Sequence, residues 1–192
     1  MLMQVVIRNL WPAELPQFRW HLHRLDRKTL TERFGRGVSS EWLDAYCQGT
    51  DLVRGAIVGC WIDGVLHGVG ELRRHERLGR AAAEVALTLE PPFQDRGLGS
   101  ALVQRLVLTA RNRGLDRLYI LTDTSNGRMR RILHRLGCPV RFAGTQIEAD
   151  VALAPPNGAS LTQEWLEEGW ACWCALSGAS GSALPMSAGL HW

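Results

Sequence analysis

The sequence predicts one domain of mixed α/β class, built on a mixed sheet with helices on both faces. Hydrophobic residues make up 46% of the 192 residues, which is enough for one core and too little for two. Apolar runs with strand periodicity alternate with segments of helical spacing, in the order hairpin, strand, helix, strand, helix, hairpin. Turn residues such as Asp63-Gly64, Gly114 and Gly137 stand between these segments, where they reverse the chain or end a helix.

The first half of the chain predicts a strand, two helices and a hairpin. The elements expected are the strand Gln4–Arg8, a helix through Leu15, Phe18, Leu22 and Leu25, the helix Glu41–Tyr46 and the hairpin Gly55–Ile62 with Val65–Leu72. Ser39-Ser40 supplies a hydroxyl that can cap the second helix, and Asp63-Gly64 tolerates the positive φ angles of a tight turn. Residues 74–80 are expected to form a charged loop.

The second half predicts alternating strands and helices, followed by a final hairpin and one more helix. The elements expected are the strand Ala82–Leu89, the helix Gly97–Arg113, the strand Leu118–Thr122, the helix Asn126–Leu136, the hairpin Arg141–Gly144 with Ile147–Leu153, and the helix Leu161–Leu176. Pro155-Pro156 breaks the chain before that last helix. We therefore predict a domain at residues 1–154 and a C-terminal extension at 155–192, comprising a docked helix at about 161–176 and a flexible tail.

The C-terminal helix is rich in tryptophan. Exposing Trp165, Trp170 and Trp173 to water would leave an apolar patch on the surface. We therefore expect the helix to bury these rings against the domain or against a second subunit, so that a homodimer is one of the assemblies expected.

Charge and cysteine content exclude several classes of protein. The net charge is +3, from 22 basic and 19 acidic residues, without the clustered surplus of a nucleic-acid binder. No apolar run reaches the roughly 20 residues of a membrane helix, which predicts no membrane association. The five cysteines are scattered, and Cys172, Cys174 and His191 are too few for a metal site. These features favour a reducing, cytoplasmic location and predict no bound metal.

The segment Gln94–Ala101 carries the clearest chemical signal. Gly97 and Gly99 let the backbone approach a ligand closely, and the free N–H groups of the following helical turn point towards it. The helix dipole favours an anion at that position, and Arg96 can add charge. A pyrophosphate is the ligand that this arrangement suits.

Three kinds of anion-binding loop share this glycine pattern. A Walker loop requires a Gly-Lys-Ser/Thr ending, and Lys28 is the only lysine in the chain. A dinucleotide fold requires Gly or Ala at position 102, where Leu102 stands, and an earlier position in the chain. The remaining pattern, Gln-x-x-Gly-x-Gly between a mid-chain strand and a long helix, resembles the acetyl-CoA motif of the GCN5-related N-acetyltransferase (GNAT) superfamily.

The resemblance extends from about Gln4 to Leu153. A second family motif follows in Asn126 and Arg135-Leu136-Gly137, and Ala83–Ala86 with Phe93-Gln94 is most similar to bacterial protein-lysine acetyltransferases. The resemblance implies a largely antiparallel sheet in which the parallel strands at 82–89 and 118–122 splay apart to admit the pantetheine arm of acetyl-CoA. The residues it implies for co-substrate binding are Leu87, Leu89, Gln94, Arg96, Gly97, Leu98, Gly99, Ser100, Ala101 and Asn126.

The function implied is an acetyl-CoA-dependent N-acyltransferase that moves an acetyl group to a primary amine by direct attack. The resemblance implies Glu84 as general base, while a structural salt bridge from Glu84 to Arg73 is the alternative. The tyrosine that many family members use as general acid is replaced by Leu133, and Cys138 stands where phenylalanine is common. A catalytically idle acyl-CoA sensor or partner module, and an arginine-rich nucleic-acid binder, are the other functions considered.

Several further polar residues are expected at the surface. Glu71 is expected to be solvated, and His21 and His23, two residues apart, cannot face each other on a helix. The arginines of the Asn126–Leu136 helix are expected to form a solvated face from which one or two reach the 3′-phosphate of CoA.

Overall fold

The structure is a computed structural model that describes residues 3–74 and 81–177, without the side chains of residues 175–177. Most of the charged loop expected at 74–80 and the tail that follows residue 177 lie outside the described residues. Within the described residues, no helix combines the length and the hydropathy that a membrane span requires.

A seven-stranded sheet organises the described part of the chain. Its strands are β1 (Val5–Asn9), β2 (Ala56–Ile62), β3 (Val65–Arg74), β4 (Ala82–Leu89), β5 (Arg117–Asp123), β6 (Val140–Ala143) and β7 (Gln146–Ala152). Their order across the sheet is β1-β2-β3-β4-β5-β7-β6, and the β4–β5 pair is parallel whereas the other neighbours are antiparallel. The predicted fold class, a mixed and largely antiparallel sheet with one parallel pair, is confirmed.

Helices cover both faces of this sheet. They are α1 (Leu15–Arg24), α2 (Arg27–Phe34), α3 (Ser40–Gln48), α4 (Leu98–Asn112), α5 (Gly127–Arg135) and α6 (Gly158–Ser177). Leu102 and Leu106 of α4 pack with Val85 on one face, whereas Phe18 and Leu22 of α1 pack with Val69 on the other. The alternation of side chains along the strands supplies apolar residues to both layers.

Helix α2 was not predicted. The Asp26 carboxylate caps its first turn by accepting a hydrogen bond of 2.6 Å from the Thr29 N–H. Gly35, with φ of +69°, ends it in the left-handed conformation that glycine adopts without strain. The Asp26 cap and the Gly35 stop are local signals that the sequence contained.

The parallel strands separate as the resemblance implied. Residues of β4 and β5 pair from Ala82 with Arg117 to Val85 with Ile120, and the pairing stops there although both strands continue. The last four residues of β4 and the last three of β5 therefore border a gap in the sheet.

Helix α6 packs on β1 and α4 by its charged side. Arg105 of α4 is 3% exposed, and its guanidinium contacts Glu164 at 3.8 Å, Glu167 at 2.5 Å and also Glu168. A buried cation requires such partners, so the carboxylates face inward.

The α6 tryptophans were expected to be buried against the domain or against a second subunit. The domain leaves them largely exposed, and burial against a second subunit stays a prediction. Trp165, Trp170 and Trp173 are 75%, 39% and 61% exposed. Because the glutamates of α6 face inward to pair with Arg105, the apolar side of the helix faces outward.

Candidate active site

The separation of β4 and β5 forms a cleft. Its walls are β4 from Glu84 to Leu89 and β5 at Leu121 and Thr122, and it is flanked by the start of α4, by α5 and by α2. The cleft is therefore lined both by backbone groups of the sheet and by charged side chains of α2 and α5.

Backbone groups on one edge of β4 lack a strand partner in the cleft. The Glu90 N–H donates to the His67 carbonyl at 2.9 Å, so the backbone of Glu90 is hydrogen-bonded towards β3. Thr88, two residues earlier and opposite Val69, has its backbone groups on the same side. Because hydrogen-bonded and non-hydrogen-bonded pairs alternate along an antiparallel ladder, the backbone groups of Leu87 and Leu89 point the other way, towards β5. The strand pairing has already ended at that level, so an amide-containing ligand can take its place.

The N-terminus of α4 presents a cluster of amides to the same cleft. Gly97 precedes the helix with φ of +83°, and Asp95 adopts φ of +57°, so the loop turns sharply into the helix. The Ala101 N–H, included in the expected anion-binding set, donates to the Gly97 carbonyl at 3.1 Å and is not free. The amides of Leu98, Gly99 and Ser100 precede the first intrahelical bond and are the ones available to an anion.

Gly99 also lets α4 and α5 approach each other. A Cβ atom at this position would lie 3.1 Å from Ile132 Cδ1 on α5. At Gly97, by contrast, a Cβ atom would meet no atom of the described residues within 4 Å, and the positive φ is what requires glycine.

The side chains of Gln94 and Asn126 stabilise segments that border the cleft by hydrogen bonds to the backbone. The Gln94 side-chain amide donates to the Leu89 carbonyl at 2.7 Å, which ties the loop to the end of β4. Asn126 Oδ1 accepts from the Met129 N–H at 3.0 Å and so caps α5. Arg96 is exposed on the loop.

Arginines of α5 surround the amide cluster. The Arg131 guanidinium pairs with the Asp95 carboxylate, and Arg135 Nη1 lies 3.4 Å from Ser100 Oγ. Two cations thus stand beside the free amides of α4, which strengthens the preference of this end of the cleft for phosphate.

Glu84 is the acidic residue of the cleft that carries no ion pair within the described chain. Of the other two carboxylates there, Glu32 lies 3.2 Å from Arg128, and Asp95 pairs with an α5 arginine. Glu84 is half-buried, and no hydrogen bond or ion pair joins it to a described residue. The alternative of a salt bridge to Arg73 is not realised, because that guanidinium approaches another carboxylate.

That other carboxylate belongs to Glu71, whose expected solvation is wrong because β3 lies inside the sheet and Glu71 is 3% exposed. It accepts hydrogen bonds from Tyr46 Oη at 2.8 Å and from Arg33 Nη2 at 2.9 Å, and Arg73 lies 4.0 Å away. Burial and the adjacent carboxylate raise the pKa of Tyr46 above its ordinary value. Burial alone would lower the pKa of Arg33, but the Glu71 carboxylate, Tyr46 and, more weakly, the Glu84 carboxylate outweigh it and raise that pKa. Arg33 is thus a permanent cation at the cleft, near Glu84.

Comparison with protein families decides what kind of protein has this cleft. Residues 19–138, more than half of the chain, match the model of the acetyltransferase (GNAT) family. The chain belongs to this family. It is an N-acetyltransferase, and acetyl-CoA is its co-substrate.

Solved structures share the fold of this GNAT enzyme. The GNAT domain of S. lividans PAT is 18% identical, with a TM-score of 0.66, and the match covers 77% of this chain and 89% of that one. A putative acetyltransferase from Salmonella typhimurium, solved with its cofactor acetyl-CoA, is 20% identical with a TM-score of 0.61, covering 81% and 96%. A cAMP-binding acyltransferase from Mycobacterium smegmatis is 21% identical with a TM-score of 0.54, covering 89% and 52%. A search of curated proteins found no match.

The cleft of this GNAT enzyme fits acetyl-CoA. The Leu89 carbonyl already accepts a hydrogen bond from the Gln94 side chain. The Leu87 backbone and the Leu89 N–H remain for the amides of a pantetheine arm, and the amides at the start of α4 suit a pyrophosphate. Within the described residues, no group of three or more His, Cys, Asp or Glu side chains is placed to hold a metal ion.

An apolar side chain, Leu133, occupies the position where many family members have the tyrosine that acts as general acid. Leu133 is 2% exposed and belongs to the core between the sheet, α4 and α5. Of the two tyrosines in the chain, Tyr46 donates its proton to Glu71, and Tyr119 stands on β5 beside Glu84 in the register of the β4–β5 pair. Leu133 has no proton to donate to a leaving thiolate.

Sequence reasoning missed the contribution of α2 to the site. Thr29, Glu32 and Arg33 of this helix face the cleft. Without recognising the helix itself, the sequence offered no reason to place these side chains beside Glu84.

Proposed function

We propose that this enzyme transfers the acetyl group of acetyl-CoA to a primary amine by direct attack, with Glu84 as the general base. The observation that carries this proposal is the half-buried Glu84 carboxylate, which lines the cleft and has no hydrogen bond or ion pair to a described residue. A carboxylate in that state is available to a substrate proton, whereas Glu32 and Asp95 are engaged by arginines.

The chemistry requires a proton acceptor. An alkyl ammonium has a pKa near about 10.4, so that at neutral pH almost all of it lacks the lone pair needed for attack. Glu84 accepts this proton, directly or through one water, and the amine nitrogen then bonds to the thioester carbonyl carbon. The carbon–sulfur bond breaks, the thiolate of CoA leaves, and the product is an amide.

The remaining residues of the cleft have positioning roles in this proposal. The backbone of Leu87 and Leu89 pairs with pantetheine, the amides of Leu98, Gly99 and Ser100 hold the pyrophosphate, and Gln94, Asn126 and the α5 arginines support that end. The acetyl group is thereby directed towards Glu84, at the closed end of the strand separation.

The acceptor enters beside α2 in this proposal. Arg33 and the Glu32–Arg128 pair border the cleft on that side. The candidate acceptors are a protein lysine and a small-molecule amine. A reducing, cytoplasmic location is part of the proposal, supported by five cysteines that are all free thiols.

The test is a panel of lysine peptides, polyamines and aminoglycosides, assayed for release of free thiol from acetyl-CoA and for a product of acetylated mass. Thiol release that depends on the amine, with a matching acetylated product, is the expected result. Tight binding of acetyl-CoA without thiol release for any amine would contradict the proposal and favour the idle acyl-CoA sensor.

A further inference from the structure

A cluster of charged side chains surrounds Glu84 on the face of the sheet that α1, α2 and α3 cover. Glu84 of β4 stands opposite Arg73 of β3, and Glu71 lies two residues before Arg73 on the same strand. Directly opposed residues share a face of a sheet, and so do residues two apart, which puts these three side chains together. Glu71 and Glu84 are diagonal neighbours, a relation that separates residues by about 7–8 Å. The Arg33 guanidinium, with Nη2 at 2.9 Å from Glu71 Oε1, therefore lies beside Glu84.

Arg33 has hydrogen-bond donors to spare. Its side chain is 10% exposed, and Nη2 makes both of its hydrogen bonds, to Tyr46 Oη and to Glu71 Oε1. Nε is buried without a partner, and no described residue accepts a hydrogen bond from Nη1. The two N–H groups of Nη1 and the one of Nε are thus unpaired within the described chain. Because Arg33 lines the cleft, an anion that enters there can reach this guanidinium.

The neighbouring cations are engaged or turned away from the cleft. Arg128, which also lines the cleft, lies 3.2 Å from the Glu32 carboxylate. Arg73 lies over an aromatic ring of α3, 4.3 Å from the ring centroid, and does not line the cleft. Among the described residues, Arg33 is therefore the cation beside Glu84 that is best placed to bind an anionic group of a substrate.

The charges around Glu84 balance before a substrate amine binds. In net charge, Glu71 offsets Arg33, which it contacts directly. Glu84 likewise offsets Arg73, and the ion pair that joins α2 to α5 is neutral by itself. A substrate that carries only an ammonium group would add an uncompensated positive charge to this partly buried site, which is unfavourable. A substrate that carries both an ammonium group and a carboxylate adds no net charge.

We propose that Arg33 binds a carboxylate of the acetyl acceptor, and that this acceptor is a short free amino acid whose amine lies at Glu84. The inference rests on the proposed acetyl transfer with Glu84 as base, and it selects a small-molecule amine over a protein lysine. Nη1 donates charge-assisted hydrogen bonds to the carboxylate, while Nη2 stays on Glu71 and Tyr46. The short distance between Arg33 and Glu84 fits an amine and a carboxylate that are only a few bonds apart.

The first test compares acceptors that differ in one charge. β-Alanine is paired with β-alaninamide, and 4-aminobutyrate with 4-aminobutyramide, while a series from glycine to 6-aminohexanoate finds the preferred length. Thiol release from acetyl-CoA gives kcat/KM for each compound. We expect the preferred acid to exceed its amide roughly 10- to 100-fold, the effect of one charge-assisted hydrogen bond.

The second test removes the guanidinium. In Arg33→Met the ratio of kcat/KM between acid and amide should fall to about one, mainly through a higher KM for the acid. Arg33→Lys, which restores a cation, should recover part of the preference. The matched control is Arg27→Met, at an exposed arginine of the same helix, which should keep the wild-type ratio. Unchanged acetyl-CoA affinity would show that Arg33→Met is folded.

A measurement on the wild-type enzyme does not depend on the folding of any variant. Butyrate, which has the carboxylate and no amine, should inhibit competitively against the amino acid and not against acetyl-CoA. Equal kcat/KM for acids and amides, an unchanged ratio in folded Arg33→Met, or faster acetylation of lysine peptides or polyamines would overturn this inference and leave the proposed acetyl transfer standing. Absence of thiol release with every amine would overturn both.

Discussion

Two glutamates at opposite ends of β4 have opposite surroundings. Glu90, just after the strand, is 8% exposed and accepts hydrogen bonds from His21 at 3.2 Å, Arg24 at 3.0 Å and His67 at 2.7 Å. Although burial raises its pKa, these three donors lower it to about 2. Glu84, near the start of the strand, is half-buried in the cleft without a hydrogen bond to any described residue.

The difference separates a structural carboxylate from one available for chemistry. The donors around Glu90 hold α1 against the end of β4, since His21 Nε2 also lies 2.9 Å from Thr88 Oγ1. His21 is fully buried, so the expectation of a surface position is wrong, and this burial lowers its pKa. Glu84 makes no such bonds to the described part of the chain, so its replacement should affect the reaction and leave the fold intact.

The largest expected effect is on turnover. Glu84→Gln should lower kcat by roughly 10²–10⁴ and shift the pH optimum upward, because the amine must then lose its proton without a base. Acetyl-CoA affinity and thermal stability should stay unchanged, since the carboxylate holds neither the co-substrate nor the fold. Steady-state kinetics with the best amine and calorimetry measure these quantities. Normal turnover at pH 7 would show that the base lies elsewhere.

The converse experiment removes the charge at the other end of the strand. Glu90→Gln should lower the free energy of unfolding by about 3 kcal/mol, because it leaves buried donors with a weaker partner. Urea denaturation measures this loss, with the exposed Glu148→Gln on β7 as a control that should stay within about 0.5 kcal/mol. A stability loss in Glu84→Gln as large as in Glu90→Gln would remove the contrast between them.

The glycine before α4 tests the cleft independently of Glu84. Gly97→Val should weaken acetyl-CoA binding roughly tenfold or more, because the valine disfavours the φ of +83° that presents the amides of Leu98 to Ser100. Gly144→Val is the matched control, since Gly144 has φ of +61° in the β6–β7 turn. Both variants should lose similar stability, and equal acetyl-CoA affinity in the two would contradict the anion-binding role.

The smallest effect concerns pH. His21 has its folded-state pKa lowered mainly by burial, so its contribution to stability is complete above about 6.5 and is lost as the pH falls below that value. Glu90 adds a further loss of stability at lower pH, because its folded-state pKa is lowered to about 2 and its contribution disappears as the pH falls towards that value. His21→Asn should flatten the dependence of unfolding free energy on pH just below 6.5, whereas exposed His134→Asn should not. Urea denaturation between pH 5 and 7.5 measures the slopes.

Local patterns predicted most of the elements. The hairpin at Asp63-Gly64, the strand Ala82–Leu89 and the helix that follows Gly97 depend on periodicity and on turn residues, which act over a few neighbours. Helix α2 was missed although Asp26 and Gly35 delimit it, because its sequence has little apolar periodicity to mark it. Family resemblance, more than periodicity, was needed to relate the strand separation to a co-substrate.

The sequence by itself determined the fold class, the start of α4 after Gly97 and the family, because each depends on residues close together in the chain or on a motif of fixed spacing. Only the tertiary structure decided which polar side chains have hydrogen-bond or ion-pair partners. Glu71 and Glu90 accept hydrogen bonds from residues on α1, α2, α3 and β3, whereas Glu84 accepts none from the described residues. The acidic side of α6 faces inward, towards Arg105. Such outcomes depend on groups tens of residues apart, and the cost of burying an unpaired charge selects among them only once the helices are packed.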